Sequence, residues 1–182
     1  LVAIDSVAPD EQACQRALEQ LLKAERLPTE LVDLDVSLCE VEGFHDDGLP
    51  LDQRPNLLAF FGEKQPSART LILNAHIDTV EWESQLHAWD QHPLSACQKE
   101  GRLYGRGSVD DKGQIIMAAM AILALSDLGY APPGEAILQS VIGEEPSGNG
   151  TLALCSHGIR ADAAVNLEPT ENHIHYGHRG VV

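Results

Sequence analysis

One stretch, residues 114–128, constrains this chain more than any other. Its centre, 115–125, is an unbroken apolar run, closed by Gly129 and followed by Pro132 and Pro133. A run of that length falls well short of the ~20 residues a bilayer-spanning helix requires. A helix apolar on every side needs cover from other elements, so burial inside a layered domain is expected. The flanking sequence supplies the layer. Residues 56–61, 70–73, 136–142 and 163–167 read as short strands, and 150–156 reads as a helix ended by Gly158. Strands that alternate with helices after residue 70 indicate an α/β fold with crossover connections. The two runs before and after the turn-rich 62–68 segment suggest neighbouring strands, hence a mixed β-sheet flanked by helices.

The earlier part of the chain adds two elements. Residues 11–26 place Ala13, Ala17, Leu18, Leu21 and Leu22 at helical spacing, with Asp10 positioned to cap the first turn. Val32, Leu34, Val36 and Leu38 alternate with polar residues, which predicts a half-buried strand. Residues 42–55 read as a polar loop, 81–98 carry no period, and 173–182 alternate like a strand.

Charge narrows the function. Against 28 Asp and Glu stand 12 Lys and Arg, a formal net charge of −16 over 182 residues. Such a surface repels phosphate backbones and anionic lipid, so no nucleic-acid partner and no membrane partner is expected, whereas cations are favoured. Cys14, Cys39, Cys97 and Cys155 form no CxxC pair, and no basic leader with an apolar core opens the chain. Reduced thiols and a cytoplasmic location are expected. The chain starts at Leu1 and stops directly after a strand-like run, which reads as a fragment.

Acidic residues and one histidine recur just beyond the carboxyl ends of the expected strands, where open α/β sheets place their sites. His76 and Asp78 follow 70–73, Glu144 and Glu145 follow 136–142, Glu168 follows 163–167, and Asp110 stands at the turn before the long helix. Singly, each has an ordinary explanation: a surface pair, a solvated turn, a helix cap, a strand end. Together they would set several carboxylates in one cleft, where mutual repulsion demands a cation. One histidine with several carboxylates suits Zn²⁺, Co²⁺ or Mn²⁺, and a bridging carboxylate would allow two ions. Of Glu144 and Glu145, one would ligate while the other works as a base. Other chemistries lack their signatures. Asp110 occupies the third glycine's place in a G-x-G-x-x-G pattern, no GK[ST] follows a glycine-rich loop, and no G-x-S-x-G surrounds any serine. His173 and His175, at period two, read more simply as a polar strand face, and His45, His87 and His92 lie in loops.

Four segments carry a family likeness: LILNAHIDTV (71–80), GRLYGRGSVDDKG (101–113), GEEPSGNGT (143–151) and NLEPT (166–170), with WDQHPL (89–94) between the first two. They resemble, in order and over nearly the whole chain, the metal-site motifs of the metallopeptidase family of acetylornithine deacetylase, succinyl-diaminopimelate desuccinylase, aminoacylase and the glutamate carboxypeptidases. The resemblance implies a zinc-exopeptidase-like catalytic domain, of which 1–182 would be the N-terminal part. It implies two Zn²⁺, one held by His76 and Glu168 and the other by Glu145, with Asp110 bridging. It further implies Asp78 as the carboxylate orienting His76, Glu144 as general base, and a cis peptide between Asp110 and Asp111. The family's lid domain, through which many members dimerise, and its remaining His ligand would lie outside this chain, leaving the chain alone inactive; His173, His175 and His178 are not assigned to that place. The implied reaction removes an acyl group from an N-acyl amino acid, as in the acetylornithine-deacetylase branch. A di- or tripeptidase and a non-catalytic scaffold are the alternatives.

Overall fold

Among the described residues, short strands bounded by turns alternate with helices, seven strands and three α-helices in all. In chain order the computed structural model, which describes residues 1–177, comprises α1 (Gln12–Ala24), β1 (Thr29–Val32), β2 (Asn56–Gly62), β3 (Leu71–His76), β4 (Cys97–Lys99), β5 (Arg102–Tyr104), α2 (Lys112–Asp127), β6 (Glu135–Val141), α3 (Asn149–Ser156) and β7 (Ala163–Asn166). Five strands make one sheet in the order β1-β2-β6-β3-β7, and β4 and β5 form a separate hairpin. The sheet is mixed: β1-β2 and β2-β6 are antiparallel, whereas β6-β3 and β3-β7 are parallel.

Side chains alternate across the strands and divide the core in two. On one face Leu57, Ala59, Ala75 and Leu138 pack with Cys14, Leu18 and Leu22 of α1 and with Ile115, Ala118, Ala119 and Ile122 of α2. On the other, Leu58, Ile137 and Val141 pack with Leu154 of α3. The result is a helix-sheet-helix sandwich whose parallel strands all point toward one end.

Several elements differ from the sequence expectation, each for a local reason. β2 and β3 are not neighbours, because β6 inserts between them; turn residues at 62–68 mark a chain reversal without fixing which strand pairs. The strand expected over 32–38 ends at Val32, and a short 3-10 turn, Val36–Glu40, replaces it. Asp35 accepts from the Ser37 N–H there, the side-chain competition that draws Asp and Ser out of ladders. The first turn of α1 is entered through Glu11, not capped by Asp10, and Glu11 bonds to no helix N–H. Instead it is buried against Arg54, which donates through Nε at 3.0 Å and through Nη2. Ala13 and Leu21, assigned inward, are exposed, while Cys14 and Gln15 face the sheet. The long apolar helix is buried on one face only, and Met117 and Met120 remain 60% and 57% exposed. Residues 173–177 form no strand, and 178–182, including His178, lie outside the described residues.

Candidate metal centre

Parallel pairing of β3 with β6 and β7 brings three loops to one edge. His76, the last residue of β3, pairs with Val141 of β6, and Asn74 pairs with Asn166 of β7. The loop after β6 is anchored from beneath by Asn56, which accepts from the Ile142 N–H at 3.0 Å and donates to the Gly150 carbonyl at 2.9 Å. Gly150 is needed for this approach, since a Cβ there would fall 2.1 Å from the Ile142 carbonyl oxygen.

The His76 ring is 2% exposed and fixed at both nitrogens. Nδ1 stands 3.0 Å from the Asp78 carbonyl oxygen and 3.6 Å from the Asp78 carboxylate. With the Nδ1 proton donated to that carbonyl, it is Nε2 that faces the cleft, and its lone pair becomes available when a cation displaces the proton it carries. Nε2 lies 3.0 Å from Asp110 Oδ1 and 4.0 Å from Glu144 Oε2. The buried Asp78 carboxylate also accepts from the backbone N–H groups of Glu144 at 3.2 Å and Glu145 at 3.0 Å. It therefore ties the loop after β3 to the loop after β6. Glu144, whose side chain is 46% exposed, stands at the mouth of the cleft with access to solvent.

Two overlapping groups of donors result. His76, Asp110 and Glu145 bring one ligand atom each within 4.8 Å of one another, and so do His76, Asp111 and Glu168. All six residues singled out in the sequence thus reach one cleft: five appear in these contacts, and Glu168 enters through the second group, where Asn166 donates to it at 3.4 Å. His173 and His175 are exposed and belong to neither group. Asp111, the residue directly before α2, is not among the ligand candidates singled out in the sequence. It is wholly buried, its Oδ2 accepts from the His76 N–H at 3.2 Å, and its Oδ1 has no partner. The Asp110–Asp111 peptide is cis. Lys112, also fully buried, turns the opposite way and donates to the carbonyls of Ile4 at 2.7 Å and Leu1 at 3.4 Å.

Electrostatics within the cleft follow from crowding. Burial alone would lower the His76 pKa, but Asp78, Asp111 and Glu144 outweigh it and push the imidazole up to about 10. Burial raises Asp111 to about 8, opposed by His76 and reinforced by Glu168 and Asp110. Burial and neighbouring carboxylates likewise raise Glu145 and Glu168. The protein groups alone hold protons that a cation would displace. An imidazole with four carboxylates, one carrying a buried unpartnered oxygen, fits a divalent transition ion.

Sequence and fold are both similar to those of known proteins. The sequence profile of Peptidase family M20/M25/M40 matches residues 72–179. The chain is 37% identical over 113 residues to an N-formyl-4-amino-5-aminomethyl-2-methylpyrimidine deformylase of Bacillus subtilis, covering 62% of this chain and 26% of that protein. It is 31% identical over 131 residues to a probable succinyl-diaminopimelate desuccinylase of Staphylococcus aureus, covering 71% of this chain and 32% of that one. Among solved structures, human carnosine dipeptidase 1 superposes with a TM-score of 0.70 at 22% identity, covering 92% of this chain and 36% of that chain. A metallo-carboxypeptidase from Sulfolobus solfataricus superposes with a TM-score of 0.66 at 18% identity, covering 91% and 35%. The chain therefore spans about a quarter to a third of the length of these curated relatives.

Proposed function

Because the chain belongs to Peptidase family M20/M25/M40, we propose that it is part of the catalytic domain of a metal-dependent amidohydrolase that removes an acyl group from an N-acyl amino compound. The observation that carries this reading is the convergence of His76, Asp110, Glu145 and Glu168 around a cleft with Glu144 at its mouth. His76 and Glu168 would hold one divalent ion, Glu145 the second, and Asp110 would bridge. Zn²⁺ is the first choice, with Co²⁺ or Mn²⁺ as substitutes. Bound ions supply Lewis acidity toward a carbonyl oxygen and lower the pKa of water.

The chain's own residues supply the proton handling. Glu144 is near His76 yet solvent-accessible, which supports its reading as the general base that would take a proton from the attacking water and return it to the leaving amine. Asp78 holds the backbone of Glu144 and Glu145 in place, and the Asp78 carbonyl fixes the His76 tautomer.

Deacylation is favoured over peptide cleavage by the relatives of 30% identity and above, a deformylase and a desuccinylase by name. The peptidase likenesses lie below 25% identity and speak to fold alone. An N-acyl amino acid as substrate, in the manner of the acetylornithine-deacetylase branch, the cytoplasmic location and a homodimer formed through a lid domain belong to the same proposal. Among the described residues, no helix is long and apolar enough to cross a membrane. The test is the complete protein with added zinc or cobalt, offered N-acetyl-ornithine, N-acetyl-methionine and a dipeptide panel. Preferential deacylation, abolished by Glu144→Gln with metal content unchanged, supports the reading. Undiminished turnover in that variant contradicts it.

A further inference from the structure

Asp111 has a geometry that a helix cap does not explain. No helix N–H bonds to its side chain. One carboxylate oxygen reaches backward to the His76 N–H, and the other is buried without a partner. A buried carboxylate oxygen left unpaired is unfavourable, and a cation beside it would offset that cost. The side chain is wholly enclosed, so water cannot reach it as it reaches Asp110 and Glu144. Its ligand atom nevertheless lies within 4.8 Å of those of His76 and Glu168. The charged groups acting on it are His76, Glu168 and Asp110; among the described residues no Lys or Arg is bonded to it, and the adjacent Lys112 ammonium is directed to the Leu1 and Ile4 carbonyls.

We propose that Asp111 is a positioning residue of the metal centre, which fixes the end of β3 through the His76 N–H and lends its buried negative charge to the cation held between His76 and Glu168. This rests on the proposed metal centre and adds to it. The arrangement separates two jobs within one carboxylate. The hydrogen bond sets where His76 stands; the second oxygen, which has no hydrogen-bond partner among the described residues, compensates the positive charge of the cation.

Asp111→Asn separates them experimentally, because the amide keeps an acceptor for the His76 N–H and nearly the same volume while removing the charge. Zinc binding to the complete protein, measured by calorimetry after chelation, is compared with urea unfolding of the chelated protein. The expected result for Asp111→Asn is a 10–100-fold weaker zinc affinity with metal-free stability equal to or above that of the wild type. Asp111→Ala, which also removes the His76 hydrogen bond, should lose both affinity and stability. Wild-type zinc affinity in Asp111→Asn overturns the inference, and so does a loss of affinity matched by a loss of metal-free stability, which would place the effect in the fold. A wild-type protein that binds no zinc would overturn the metal centre itself, before Asp111 enters.

Discussion

Replacing Asp78 by alanine tests how the cleft is assembled. Its carboxylate is wholly buried and accepts two backbone hydrogen bonds, from Glu144 at 3.2 Å and Glu145 at 3.0 Å. Bonds to a charged acceptor contribute about 1.5–3 kcal/mol each, so the pair is worth roughly 3–6 kcal/mol when buried. Glu144 and Glu145 are themselves exposed, and water recovers part of that, which sets the expectation near the lower bound, about 3 kcal/mol. Asp78→Asn keeps one acceptor oxygen but turns an NH₂ toward the second N–H, so about half the effect is expected. Urea unfolding with a chelator present isolates this term from metal binding, and the denaturant slope should not change. A loss below ~1 kcal/mol in Asp78→Ala, or an asparagine variant less stable than the alanine one, would refute the reasoning.

The pH dependence has a definite sign. The folded-state pKa of His76 lies at about 10, above its ordinary 6.5, so its contribution is complete below 6.5 and is lost as pH rises toward 10. Asp111 is raised to about 8 from 3.8, so the folded protein again binds the proton more tightly, and stability falls from 3.8 to 8. The windows overlap between pH 6.5 and 8, where the thermal midpoint of chelated protein should fall while zinc affinity rises; a midpoint that climbs with pH contradicts the geometry. Arg54→Met should cost about 3–5 kcal/mol by leaving Glu11 charged and buried, since both side chains are 3% exposed or less. The double variant Arg54→Met with Glu11→Gln should recover much of that loss in the same unfolding assay. Gly150→Ala should weaken the loop after β6, read as loss of stability by thermal melting, because its Cβ would meet the Ile142 carbonyl.

What the sequence made legible follows from range. Periodicity located β6, β7, α2 and α3 because their signals are local and long enough to repeat. Strand order was not legible, since the insertion of β6 between β2 and β3 is decided by the pairing of residues more than 60 positions apart, such as Ile72 with Ile137. The β4–β5 hairpin was missed because its strands are three residues each, although Gly101 at the turn, with φ +74°, was a local signal. The uniform apolarity of α2 hid which face is covered; only the packing of Ile115, Ala118, Ala119 and Ile122 on the sheet distinguishes it. The gathering of His76, Glu144, Glu145 and Glu168 was legible because they follow strand ends, which topology brings together, whereas Asp110 joins them from the turn before α2. Asp111 was not, because Asp before a helix has a sufficient local explanation; its burial against the His76 N–H depends on a contact 35 residues away.

The most direct test of the central claim is the metal content of the complete protein and of its Asp110→Ala variant, measured by elemental analysis after dialysis. Asp110 lies at 3.0 Å from His76 Nε2 and shares a donor group with Glu145, so a bridging role predicts about two divalent ions per wild-type chain and loss of both in the variant. A wild-type protein without bound metal, or a variant that retains two equivalents, would contradict it.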